Sequence, residues 1–153
     1  MNRVHSACGS IPVENLSALI ARLEAAEAGS RELDHLIFMY TAPMEVASHW
    51  SPSDRKTLFT TSLDAALALA ERVLPGWYWR AGRTPLGHWH HGRYTYGWAH
   101  VSRTDASNCD RGDEATGWAA TPAIALVIAT LRAKLDGYAA VGEVNKNPKA
   151  QEG

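Results

Sequence analysis

The sequence predicts an α+β fold in a single domain, with helices packed on a small antiparallel sheet in an α-β-α sandwich-like arrangement. Three observations predict it. Four segments repeat apolar residues at the helical period, two others are aromatic-rich with strand alternation, and neither a linker nor a fixed-period repeat divides the chain. At 153 residues, one domain buries roughly 70% of the surface its unfolded chain exposes, so folding needs no metal or disulfide.

Residues 1–12 read as an N-terminal arm, 13–140 as the domain and 141–153 as a disordered tail with nothing to bury. Leu16, Leu19, Ile20 and Leu23 form one apolar stripe on a helix from about Val13 to Ala28, with Gly29 as its stop. Ser30 caps a second helix striped by Leu33, Leu36, Ile37 and Tyr40 and ended by Thr41-Ala42-Pro43. Residues 43–56 read as loop, and Thr57-Leu58-Phe59 is long enough for a short strand. Thr61 with Asp64 three residues later has capping-box form, so a third helix is expected near 62–74, lined by Leu63, Leu67, Ala70 and Leu74. Strands are expected at 77–82 and 94–101, separated by loop. In the second, Tyr94, Tyr96, Trp98 and His100 share one face and Thr95, Gly97, Ala99 and Val101 the other. Ser102 to Gly117 reads as a polar surface loop. Thr121 as N-cap and Pro122 at the first helical position then start a helix near 122–136 that Gly137 should end. That helix is apolar on more than one face, so it is expected to be sandwiched in the core or partly covered by another subunit.

Composition narrows the function classes. No apolar run approaches the ~20 residues of a membrane span, and the N-terminus lacks the apolar core of a signal peptide, so cytoplasmic residence is expected. Cys8 and Cys109 are read as free thiols. Net charge is −1, which gives no general attraction to nucleic acid or membrane. Its distribution is more informative. Between Glu71 and Asp105 no Asp or Glu occurs, while Arg72, Arg80, Arg83, Arg93 and Arg103 fall there with four histidines and seven Trp or Tyr residues.

Three pieces, LSALIARLEAAEAGSRELDHLI, FTTSLDAALALAERVLPGWYWR and AATPAIALVIATLRAKL, resemble small uncharacterised phage and prophage proteins of the phage alpha-beta-alpha sandwich domain type. The pieces cover a little over a third of the chain, and residues 41–56 and 84–117 depart from the pattern. The resemblance implies a sandwich of helices over a small sheet, and the cytoplasm of an infected bacterium as the setting. It implies no catalytic residue.

The acid-free block is the candidate site. Aromatic faces stack on bases and arginine forks grip phosphates, so Trp77, Trp79, Arg80, Arg83, His88, His90, Arg93, Tyr94 and Tyr96 are the expected ligand-binding residues. Trp77, Trp79 or Tyr96 would stack, Arg80, Arg83 and Arg93 would hold phosphates, and the loop from Gly82 to Arg93 would bring His88 and His90 over the ligand. The competing reading has these aromatics packing under helices, with the arginines reaching to solvent. His88 and His90 alternate as metal ligands would, but no fourth ligand has suitable spacing, so neither metal nor cofactor is expected. The acidic stretch Asp105 to Glu114 lacks calcium-loop spacing. No nucleophile elbow, phosphate-cradling loop or metalloprotease motif occurs, so the chain is read as non-enzymatic. The expected function is a phage accessory protein that sequesters a nucleotide second messenger of host antiviral defence. Two alternatives stand beside it: a single-stranded nucleic-acid binder, and an interaction module forming a homo-oligomer.

Overall fold

Thr121 and Pro122 start the helix around which the other elements are arranged. Thr121 Oγ1 accepts a hydrogen bond from Ile124 N (3.3 Å) and Thr121 O one from Ala125 N (3.0 Å), while Pro122 has no N–H to leave unpaired in the first turn. The computed structural model describes residues 13–43, 49–90, 92–103 and 114–146, except for side chains at 13, 14, 88, 90, 93 and 138–146. It is a small α+β domain with helices on a three-stranded antiparallel sheet. The helices are α1 Val13–Ala25, α2 Arg31–Thr41, α3 Leu63–Val73 and α4 Pro122–Lys146, with a short 3-10 turn at Arg55–Thr57. The strands are β1 Tyr78–His90, β2 Arg93–Ser102 and β3 Glu114–Ala119, in spatial order β1-β2-β3.

Every residue of α4 from Ala123 to Leu131 is buried. One side of the helix packs on β2 and β3, the other on α1 and α3, so its surplus of apolar surface is absorbed within the chain. The sheet face toward α4 is built of small residues, Gly97, Ala99, Ala115, Gly117 and Ala119. A Cβ on Gly117 would lie 2.2 Å from Ala125 O, and one on Gly97 would lie 2.1 Å from the Thr121 carbonyl carbon. Helix backbone therefore rests directly on sheet backbone. A polar clamp fixes the segment before α3. The buried Asp34 accepts from Thr60 N (2.9 Å), Thr60 Oγ1 (2.7 Å) and Arg31 Nη1 (2.7 Å), and Arg31 also donates to Thr57 O and Ser51 O. Arg132 ties α4 to its neighbours through Glu24 of α1 (2.6 Å) and Thr116 O of β3 (2.9 Å).

Ser30 and Thr121 cap their helices as expected. Several boundaries differ. The cap of α3 is Ser62, whose Oγ accepts from Ala65 N, and the buried stripe is Ala65, Ala66, Leu69 and Ala70 while Leu63 is exposed. Thr57 closes the 3-10 turn, and neither it nor residues 58–59 form a strand. Helix α4 continues through Gly137 to Lys146, into the segment expected as tail. A glycine costs only about 1 kcal/mol in a helix interior, and the helix-forming residues beyond it continue the turn. The stretch expected as loop between the strands is mostly strand, because β1 extends to His90 and pairs with β2 around an irregularity between Arg83 and His88. The last strand, β3, begins inside the expected polar loop. The expected arm at 1–12, the acidic stretch up to Asp113, both cysteines and the last seven residues lie outside the described residues.

Candidate functional site

Paired residues of an antiparallel sheet share a face, so the register decides which of the candidate residues meet. Gly97, Ala99 and Val101 pair with Ala119, Gly117 and Ala115, and all six are buried toward α4. Trp98 pairs with Trp118 and with Gly82, His100 with Arg80, and Tyr94 with Trp89, all on the opposite face. No described helix covers that face. Tyr78 (52% exposed), Trp89 (60%), Tyr94 (60%) and Tyr96 (39%) are open to solvent there, and Trp98 and Trp118 are half-buried. The expected alternation along β2 is therefore present, and the reading in which its aromatics pack under helices is corrected. Gly97 and Gly117 lie against the backbone of α4, so no large ring fits there and every large ring of β2 is on the outside.

Glycines in β1 shape this surface. A Cβ on Gly82 would meet Trp98 Cζ2, Cε2 and Nε1 at 2.9, 3.0 and 3.0 Å, three adjacent ring atoms at nearly one distance. The indole therefore lies face-on over Gly82. A Cβ on Gly87 would meet Tyr96 Cε1 at 3.1 Å and Tyr94 Cδ1 at 3.2 Å, so those rings also lean across the neighbouring strand. Trp89 meets Tyr94 edge-on, with centroids 5.0 Å apart. The result is a broad aromatic surface rather than a slot.

Of the expected ligand-binding residues, Tyr94, Tyr96 and Arg80 stand on this face. Arg80 is exposed and makes no ion pair among the described residues. The carboxylate of Glu114 at the face's far edge is held by His100 (Nε2 to Oε2, 3.1 Å). Trp79 and Arg83 pair with Val101 and Gly97, which assigns them the helix-side face at the β1 edge, and Trp77 precedes the strand. Trp77 is half-buried against the core, and the Arg103 guanidinium lies 5.6 Å from its ring centroid. The backbone puts His88, His90 and Arg93 at the tip of the β1–β2 hairpin, paired with Thr95, Arg93 and His90 respectively. Trp77, Trp79 and Arg83 are thus apart from Tyr94 and Tyr96. Trp89 and Trp98 belong to the open face but were not among the expected binding residues, and Trp118 was missed altogether. Trp118 gave no signal because most of its strand, Glu114 to Gly117, reads as polar loop.

Concavity lies elsewhere. The crevice beside Trp77 and Trp79 holds only about 10 Å³, less than a ligand needs. A larger groove of about 560 Å³ separates the end of α2 from α3, with Phe38, Phe59, Ala68 and Leu69 in its wall. Its Arg72 donates to Thr41 O at 2.8 Å and is held below the usual arginine pKa by desolvation. That guanidinium is occupied in closing the end of α2. Among the described residues no group of three His, Cys, Asp or Glu side chains converges as a metal site, and no helix is long and apolar enough to cross a membrane. The chain matches no protein family, no curated protein and no solved structure.

Proposed function

We propose that this chain is a non-enzymatic binding protein that takes an anionic, base-containing ligand on the open face of its sheet. One observation carries the reading: a sheet face left uncovered by the described helices, bearing Tyr78, Trp89, Tyr94 and Tyr96 exposed beside the exposed Arg80. Exposed aromatic surface of this extent is a recognition feature in soluble folds, and base stacking on such rings contributes about 1–3 kcal/mol per base. The carboxylate-free stretch from Arg72 to Thr104 leaves little to repel phosphate. In the phage setting that the resemblance implies, a small ligand of this kind is a nucleotide second messenger of host defence, which the protein would sequester. A polymeric one is a single-stranded nucleic acid. Calorimetry of the full chain against cyclic nucleotides and short oligonucleotides is the test. Heat of binding that disappears in Tyr94→Ala and Tyr96→Ala supports the reading, and no heat with any of them at micromolar protein rejects it.

A second reading rests on the irregularity of β1 between Arg83 and His88, where Leu86 is 90% exposed, and on the exposed Trp89 three residues further along the strand. Two apolar side chains held out on a hairpin suit a subunit contact. Light scattering decides it: a stable oligomer that Leu86→Asp dissociates supports an interaction module, and a monomer at high concentration excludes it.

A further inference from the structure

Resting on the stacking reading above, we infer that the ligand of the open face is an extended single-stranded nucleic acid with its bases splayed apart, one for each ring of β2. Strand geometry supports this. A strand rises about 3.4 Å per residue, so the positions of Tyr94, Tyr96 and Trp98 follow one another at about 6.8 Å on one face. Bases stacked in a nucleic-acid helix are about 3.4 Å apart, half that interval. A strand stacked base on base would bring only every second base to a ring, with both its faces already taken by its neighbours, whereas splayed bases give every ring a free face.

The rings are also posed for it. Gly82 lies beneath the Trp98 indole and Gly87 is close to the Tyr94 and Tyr96 rings, so the side chains lean over β1. A side chain at either glycine would push a ring up and interrupt the surface. Among the described residues the run continues past Tyr94 to Trp89 toward the hairpin tip and is flanked at Trp98 by Trp118 on β3. Charge agrees with a polyanion, since Arg80 borders the track on β1 and the carboxylate of Glu114 is engaged by His100. A cyclic dinucleotide has only two bases, tied into one compact ring, and leaves at least one of the three β2 rings bare. Of the two described concavities, the crevice beside Trp77 and Trp79 holds only about 10 Å³, and the groove of about 560 Å³ lies between α2 and α3.

The experiment titrates the full chain with oligodeoxythymidylates of one to six nucleotides and with a cyclic dinucleotide, following quenching of tryptophan fluorescence at fixed salt. Affinity should climb roughly 5- to 150-fold per added nucleotide up to three, with far smaller gains beyond. Tyr96→Ala, exposed enough to leave the circular dichroism spectrum unchanged, should lower trinucleotide affinity by one such step while changing mononucleotide affinity much less. A mononucleotide or the cyclic dinucleotide binding as tightly as the trinucleotide overturns the inference and leaves the stacking site standing. Binding by none of the probes overturns both.

Discussion

Placing a methyl group on Gly117 should damage the fold more than its size suggests. The new Cβ would sit 2.2 Å from Ala125 O and 3.0 Å from Ala129 N, all backbone of α4, so no side chain can rotate aside. The helix has to withdraw from β3 by about 1 Å, and a gap of that size forfeits a quarter to a half of each dispersion contact it opens. The affected contacts include Ala99, Ala119 and Ala125, all fully buried. Overpacking of a rigid core costs about 1–3 kcal/mol, and the immovable partner puts Gly117→Ala near the upper end. Stiffening of the unfolded chain returns about 0.4–1 kcal/mol, for a net loss of about 2 kcal/mol. For a chain of this length that lowers Tm by about 4–8 °C. Gly137→Ala is the matched control, because a Cβ there meets nothing within 4 Å on the same helix. It should gain about 0.5–1 kcal/mol through helix propensity. Urea denaturation followed by tryptophan fluorescence and circular dichroism measures both. A Gly117→Ala stability within about 0.5 kcal/mol of the parent would refute the claim that α4 and β3 are in backbone contact.

Other positions give independent checks. Asp34→Ala leaves the buried Thr60 N without its acceptor and removes the carboxylate that faces Arg31, and should cost about 1–3 kcal/mol, with the same urea titration as the readout; a loss below about 0.5 kcal/mol would show the clamp to be dispensable. Arg132→Ala removes bonds to Glu24 and Thr116 O and should cost about 1–2 kcal/mol. Because Glu24 is largely buried, that difference should survive moderate salt. Burial raises the Tyr40 pKa above its ordinary 10.0. The folded state then holds its proton where the unfolded state has released it, so this contribution is intact below pH 10 and declines as pH rises further. Denaturation at pH 9 and 10.5 should show a smaller alkaline loss in Tyr40→Phe than in the parent; equal losses would contradict the assignment.

The helices and their starts were legible in the sequence because their signals are local. A stripe such as Leu16, Leu19, Ile20 and Leu23 and a cap such as Ser30 or Thr121 act within one or two turns. The alternation of β2 was local in the same way, and so was the acid-free composition of the Arg72 to Thr104 block. The rest depended on partners distant in sequence. Strand β3 escaped notice because Ala115, Gly117 and Ala119 carry no apolar bulk; their smallness makes sense only against the backbone of α4. Likewise β1 reads as loop after Gly82 until β2 supplies its hydrogen bonds.

The sequence by itself determined the helices, the side-chain alternation of β2 and the concentration of rings and arginines in one block. Only the tertiary structure decided which side of the sheet α4 would occupy. That choice follows from close packing, since the helix fits only where Gly97, Ala99 and Gly117 let it approach. It sends Tyr94, Tyr96 and Trp98 to the open face and leaves Trp77, Trp79 and Arg83 apart from them.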